Sequence, residues 1–203
     1  MSRNSSDPKL LKALTGEGGD NHFRKPNGYL YEFYLSGEIL EPENYIDWFD
    51  TIRNAGPQDE VVIYINSQGG DLHTAIQFLR VAADSQAHIT TSVEGACMSA
   101  ATMIFLAAHE QEVTPHSLFM FHNYSGGTFG KGGEMIDQLK FEYEWSRKFL
   151  TSVYQDFLTE QEIQSMLDNK DLWMTAEEVV QRLSDARKRR EAAQQTEQLA
   201  ESA

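Results

Sequence analysis

The sequence has little cysteine and no long apolar run. Cys97 is the only cysteine among 203 residues, which excludes a disulfide within the chain and a cysteine-ligated zinc cluster. No stretch approaches the roughly 18 uninterrupted apolar residues of a membrane-spanning helix. The first residues, MSRNSSDPKL, lack the apolar core of a secretory signal. These absences predict a cytoplasmic protein with no membrane partner.

Positive charge is also scarce. Lys and Arg number 17 against 31 Asp and Glu, for a net charge of -14. Nucleic-acid binding depends on clustered basic side chains, so we expect no nucleic-acid partner. The nucleotide motifs G-x-G-x-x-G and G-x-x-x-x-G-K-[ST] are missing, as is any His or Cys spacing typical of a metal site. The sequence therefore predicts neither a cofactor nor a metal.

Strand-like and helix-like segments alternate along the middle of the chain. YLYEFYLSG and the β-branched run EVVIYINS have the composition of strands. DLHTAIQFLRVAAD repeats apolar residues at helical spacing, and a longer helix is predicted from about residue 133 to 158. TEQEIQSML and TAEEVVQRL predict two more helices with threonine caps. This alternation predicts an α/β fold.

The two ends of the chain have a different composition. Residues 1–28 are rich in glycine and loop-like, and we expect a flexible or axial N-terminal segment there. Residues 184–203 contain almost no large apolar side chains, which predicts a polar tail or a frayed helix. Residues 29–183 are left as the globular domain.

Three predicted strands run into residues that could carry chemistry. VVIYINS runs into Gln68-Gly69-Gly70, HITTSVEG leads to Ser99, and SLFMFHN ends on His122. If the sheet is parallel, these three strand ends lie along one edge, where active sites of α/β folds form.

Each candidate also has an ordinary structural interpretation. Ser99 precedes an apolar helical segment, so it could be a helix cap or a small packing residue rather than a nucleophile. His122 could be a general base or a polar residue closing a strand. Gly69 and Gly70 fit an oxyanion site, a tight turn or a phosphate cradle. Composition alone cannot select a third catalytic residue among 31 acidic side chains.

Four ordered motifs carry a resemblance to a known family. YINSQGGDLHTAI, GACMSAATMIFLAA, LFMFHNYSGG and DLWMTAEEV occur in family-like order and spacing. Over about residues 33–183 the chain resembles the proteolytic subunits of Clp proteases, the ClpP family. The resemblance implies a ClpP/crotonase-like fold, with a mostly parallel sheet, flanking helices and a protruding handle helix.

The resemblance also assigns residues by their place in these motifs. It implies a serine endopeptidase acting through an acyl-enzyme, with a catalytic triad, an oxyanion hole of two backbone N–H groups and a substrate-binding strip. The triad would be Ser99, His122 and Asp171; the oxyanion hole Gly70 and Ala100; the substrate strip Gly69, Leu72 and Ser125.

Assembly follows from the same resemblance. Family members form two stacked heptameric rings that enclose the active sites, and an AAA+ unfoldase feeds them unfolded polypeptides. A homo-oligomer with these partners is therefore expected. The helix after GGTFGKGG would join the rings, and its aromatics Phe141, Tyr143 and Trp145 would pack between rings or form a core face.

The chain departs from the family pattern in several places. Gln68 replaces the proline before Gly-Gly, and Lys170 stands where the family has arginine. Val62 occupies one of the positions whose aromatics dock the unfoldase, whereas Tyr64 is retained. The S-A-A-x-M-I run also resembles ClpP-like proteases of tailed phages. Two alternatives stay open: a crotonase-like acyl-CoA enzyme and a catalytically silent ring scaffold.

Overall fold

The computed structural model describes residues 22–25 and 27–201. Most of the predicted N-terminal segment therefore lies outside the described residues. The strands are β1 (His22–Lys25), β2 (Gly28–Ile39), β3 (Glu60–Gly70), β4 (His88–Met98), β5 (Glu110–Val113), β6 (Leu118–Phe121) and β7 (Leu172–Thr175). The α-helices are α1 (Ile46–Asn54), α2 (Leu72–Asp84), α3 (Ala100–Leu106), α4 (Gly132–Tyr154), α5 (Glu160–Leu167) and α6 (Ala176–Glu201), and a 3-10 turn, Pro42–Tyr45, precedes α1.

The strands form one mostly parallel sheet, which confirms the predicted α/β class. The strand order is β1-β2-β3-β4-β6-β7. Strand β5 pairs with β4 at Thr90–Val93, before the part of β4 that pairs with β6. Strands β2, β3, β4, β5 and β6 run parallel, and β1 and β7 are antiparallel edge strands. On β3 the side chains of Val61, Ile63 and Ile65 are buried and those between them are partly covered, because helices pack on the sheet.

Helices α1 and α2 pack against one face of the sheet. Phe49 of α1 and Phe78 of α2 meet edge to face, with ring centroids 4.9 Å apart, and Tyr45 contacts Phe78 at 5.6 Å. Asp71 caps α2, since its Oδ1 accepts from the N–H of Thr74 at 2.7 Å. This cap fixes the turn by which β3 enters α2, directly beside the candidate site.

Helix α4 confirms the long helix predicted in this region, although it ends at Tyr154. Its first half is exposed and carries apolar side chains, whereas Ser146, Leu150 and Tyr154 are buried against the sheet. After it, Thr159 and Glu162 form a reciprocal capping box at the start of α5. The predicted threonine cap of α5 is therefore confirmed.

Helix α6 extends through the predicted polar tail. Residues 187–196 are helical and exposed, which corresponds to the helical alternative for this segment. Within the described residues no helix is both long and apolar enough to cross a membrane.

Candidate active site

The three strand ends meet at one edge of the sheet, as the sequence predicted for a parallel sheet. Strands β3, β4 and β6 are parallel neighbours. Their carboxyl ends carry Gly69-Gly70, Ser99 and His122, respectively. The backbone N–H of Ser99 donates to the carbonyl oxygen of Met120 on β6 at 2.8 Å, which fixes the Ser99 turn beside the end of β6.

Ser99 occupies a strained turn between β4 and α3. Its φ of 53° and ψ of -129° lie where residues with a side chain are rare. Such conformations persist only when the surroundings hold them, and they cluster at functional sites. The Ser99 side chain makes no capping hydrogen bond to α3. The helix-cap interpretation is therefore wrong for this serine.

The hydroxyl of Ser99 contacts His122 directly. Ser99 Oγ lies 2.6 Å from His122 Nε2. For the hydroxyl to donate in this contact, the neutral imidazole must carry its proton on Nδ1. The pair has the geometry of a nucleophile beside its general base.

Backbone donors lie next to the serine. Ala100 is the first residue of α3, and the N–H groups of a first turn have no acceptor within the helix. Gly69 has a φ of +95°, and a Cβ built on it would lie 2.6 Å from Ser99 Cβ and 3.2 Å from the Ala100 nitrogen. Glycine is required there because the end of β3 runs against the serine turn. Gly70, with a φ of +152°, passes still closer to the backbone of Ile39 on β2.

A cavity of about 500 Å³ opens in front of the Ser99–His122 pair. Gly70, Leu72, Ala100 and Ser125 line it, and so do the apolar side chains of Met103, Phe141 and Trp145. Asp71 and Glu142 contribute carboxylates, and no Lys or Arg is among the described lining residues. Burial, and next the charge of Glu142, raise the pKa of Tyr124 in this wall.

Asp171 lies at the end of a strand paired with that of His122. Strands β6 and β7 pair antiparallel, and their last pair is Phe121 with Leu172. His122 directly follows this pair on one strand, and Asp171 directly precedes it on the other. Asp171 is exposed, and no hydrogen bond or ion pair between it and His122 is found in the described part of the chain. Its role as the third triad member stays a prediction.

Sequence reasoning missed the residue that fastens the segment before Asp171. Asn123 Nδ2 donates to the carbonyl oxygen of Leu167 at 3.3 Å and to Asn169 Oδ1 at 3.2 Å. Asn169 has a φ of 64°, a conformation that asparagine tolerates better than most residues. The N of the strand-end motif FHN was the available signal, but a strand-end asparagine does not reveal its partners.

No metal site accompanies these groups. Among residues 22–25 and 27–201, no three His, Cys, Asp or Glu side chains are clustered so as to hold an ion. The site thus consists of a hydroxyl, an imidazole and adjacent backbone N–H groups on a parallel sheet edge. That constellation is typical of serine hydrolases, which are recognised by geometry rather than chain order.

Comparison with protein-family models identifies a protease family. Residues 46–182 match the family model described as Clp protease. The match covers more than half of the chain, and the protein belongs to the Clp protease family.

Curated relatives are more distant. The chain is 27% identical over 131 residues to the ATP-dependent Clp protease proteolytic subunit 1 of Salinibacter ruber, covering 63% of this chain and 55% of that protein. It is 27% identical over 148 residues to the ATP-dependent Clp protease proteolytic subunit of Bacteroides thetaiotaomicron, covering 71% of this chain and 64% of that protein. The chain thus spans less than two thirds of the length of these relatives.

Proposed function

We propose that this chain is a serine endopeptidase subunit that cleaves unfolded polypeptides through an acyl-enzyme. The observation that carries the proposal is the 2.6 Å contact between Ser99 Oγ and His122 Nε2. It occurs at a positive-φ turn that opens a helix. Membership of the Clp protease family supports the same chemistry.

The reaction proceeds in two acyl-transfer steps. His122 Nε2 accepts the hydroxyl proton as Ser99 Oγ attacks the peptide carbonyl, and the N–H groups of Gly70 and Ala100 stabilise the oxyanion. The imidazolium then donates its proton to the leaving amine, and the acyl-enzyme remains. A water molecule deprotonated by His122 hydrolyses this ester and restores the serine. Asp171 accepts from His122 Nδ1–H in this scheme and orients the imidazole.

The substrate lies extended between two backbone segments. The end of β3 at Gly69-Gly70 and the segment around Ser125 border the cavity, so that a peptide can pair its main chain with either side. Main-chain pairing makes recognition tolerant of sequence. Leu72, Met103 and Trp145 give the cavity an apolar wall that accepts an apolar side chain next to the scissile bond.

The subunit works within a ring assembly supplied by an ATP-driven unfoldase. The curated relatives are named as ATP-dependent proteolytic subunits, which supports this partner. On the outer part of the sheet, exposed Tyr34 stacks on Tyr64 with centroids 4.9 Å apart. This aromatic pair is the surface that we propose for unfoldase docking. Assembly into two heptameric rings in the cytoplasm follows the family.

Active-site labelling tests the proposal. A fluorophosphonate probe is expected to modify Ser99 in the assembled protein, and Ser99→Ala is expected to abolish the modification without loss of assembly. Asp171→Asn should slow labelling about 100-fold, because an unoriented imidazole is a poor base, whereas the neighbouring Asp168→Asn should label at the wild-type rate. Absence of labelling in folded, assembled protein would refute the peptidase and favour the scaffold.

The acyl-CoA alternative has less support. Arg and Lys side chains are favoured partners of nucleotide phosphates, and the described cavity lining contains neither. Thermal stabilisation by acyl-CoA, together with none by a peptide boronate, would favour this alternative over the peptidase.

A further inference from the structure

A buried pair of hydroxyl groups lies behind the Ser99 turn. Tyr154, the last residue of α4, is completely buried, and its hydroxyl oxygen lies 2.7 Å from Thr102 Oγ1. Thr102 is also completely buried, and its Oγ1 donates to the carbonyl oxygen of Ser99 at 2.7 Å. A continuous chain of hydrogen bonds therefore joins the end of α4 to the main chain of Ser99.

The direction of these hydrogen bonds follows from the number of protons. Thr102 has one hydroxyl proton, and the Ser99 carbonyl can only accept, so this proton is used in the bond to Ser99. Tyr154 must then donate to Thr102. Burial raises the pKa of Tyr154 well above its ordinary value, which keeps the phenol protonated as this arrangement requires.

Tyr154 also packs against the residue that precedes the histidine. Its ring packs edge-on against Phe121, with centroids 5.6 Å apart and an interplanar angle of 84°. Phe121 immediately precedes His122 at the end of β6. One side chain thus contacts the supports of both members of the Ser99–His122 pair.

The Ser99 turn needs such support because its conformation is unfavourable for a residue with a side chain. The N–H of Ser99 is held by Met120 and its carbonyl by the N–H of Thr102 at 2.9 Å. The Thr102 hydroxyl adds a second bond to that carbonyl, and Tyr154 fixes the hydroxyl in place. Loss of the hydroxyl bond leaves the carbonyl held by the N–H of Thr102 without its second donor, which loosens the turn.

Building on the proposed peptidase function, we propose that Tyr154 and Thr102 are positioning residues that keep Ser99 Oγ aligned with His122 Nε2. They act through the main chain of Ser99 and do not touch the substrate. Because Trp145 of the same α4 lines the cavity, this helix shapes the substrate wall and supports the nucleophile as well.

Three variants separate positioning from stability. Thr102→Val removes the hydroxyl at nearly constant volume, Thr102→Ser keeps it, and Tyr154→Phe deletes only the phenolic oxygen. The matched control is Thr91→Val. Thr91 is equally buried and donates to the carbonyl oxygen of Phe105, at the other end of α3, at 3.0 Å. The control thus loses a buried hydrogen bond from a threonine of β4 to a carbonyl oxygen of α3, at the end of that helix away from Ser99.

The measurements are the rate of fluorophosphonate labelling, kcat and KM for a short fluorogenic peptide, and the Tm. Thr102→Val is expected to lower the labelling rate and kcat about tenfold with KM within twofold, since small misplacements of a reacting group are costly. Tyr154→Phe should lower both about threefold, and Thr102→Ser should stay within twofold of wild type. Thr91→Val should have a lower Tm than wild type but the same labelling rate and kcat.

The possible results distinguish the positioning role from the peptidase proposal. Wild-type labelling by Thr102→Val, or equal rate losses in Thr102→Val and Thr91→Val, would overturn the positioning role and leave the peptidase proposal intact. If Thr102→Val does not fold, Tyr154→Phe decides, and wild-type kcat in that variant overturns the role. No labelling of wild-type Ser99 would overturn the peptidase proposal and the positioning role together.

Discussion

Replacement of Gly69 by alanine should disable the active site while most of the fold survives. A Cβ on Gly69 would lie 2.6 Å from Ser99 Cβ and 2.7 Å from the Met98 carbonyl oxygen, whereas ordinary contact begins at 3.4 Å. The Ser99 turn must therefore move by roughly 1 Å, and a misplacement of that size costs about 100-fold in rate.

The same substitution has a cost in stability. At a φ of +95°, a side chain adds about 1–2 kcal/mol of backbone strain, and displacement of the serine turn adds about as much again. A total of about 2–4 kcal/mol lowers the Tm of a chain of this size by roughly 5–15 °C. The variant is thus expected to be folded at 25 °C but nearly inactive.

Two other glycines provide controls for this experiment. Gly37 has a φ of +82° but open space around its Cβ position, so Gly37→Ala introduces the strain without the clash. Gly132 begins α4, also in open space, and Gly132→Ala should be neutral or slightly stabilising. The assay is fluorophosphonate labelling of each folded variant beside its thermal unfolding curve. Labelling of Gly69→Ala within threefold of wild type would refute the reasoning.

Two further predictions concern stability and assembly. The hydrogen-bonded guanidinium of Arg182 lowers the pKa of Glu162 from 4.5 to about 2, so the pair contributes fully above about pH 4.5 and its contribution is lost as the pH falls towards 2. Because both side chains are about a quarter exposed, Arg182→Met should lower the free energy of unfolding by about 1–2 kcal/mol at pH 7, and by progressively less below pH 4, in urea titrations. The control Arg190→Met, at a more exposed ion pair, should cost under about 0.5 kcal/mol. Equal losses for Arg182→Met at pH 7 and pH 2.5 would contradict this. If α4 joins the two rings of the proposed assembly, exposed Leu139 of α4 is covered there. Leu139→Glu should then give seven-subunit particles in native mass spectra where the unsubstituted protein gives fourteen, and equal subunit numbers for both would count against α4 as the joint between rings.

The sheet and its functional edge could be predicted because they depend on strong, local sequence patterns. The run EVVIYINS is a continuous β-branched segment that leads into Gln68-Gly69-Gly70, and it forms most of β3. The short β5 was missed because its sequence, EQEV, alternates charged and polar residues and contains a single β-branched side chain. Segment EQEV is a strand because it pairs with β4, and its own composition does not indicate this pairing.

The hydrogen bond between Thr102 and Tyr154 shows a second limit. It joins residues 52 positions apart, and although Thr102 falls within the motif GACMSAATMIFLAA, nothing in that motif points to Tyr154. Thr102 reads as one polar residue in an apolar helix, and Tyr154 as one more aromatic on the core face of α4. Only the packing of α4 against α3 brings the two hydroxyls together.

The choice of Asp171 depended on the resemblance, and the structure supplies the physical reason why composition could not make it. The identity of a residue opposite His122 depends on which strand pairs with β6 and in which register. That strand, β7, has only four residues, too few for a period to be recognised. The pairing of Phe121 with Leu172 brings Asp171, the residue before Leu172, to the strand end next to His122, and this neighbourhood, which composition does not show, favours it among the 31 acidic residues. Asp171 is exposed and Asn123 fastens the residues before it, so we expect its carboxylate to reach His122 Nδ1 by a change of side-chain rotamer rather than by movement of the whole segment.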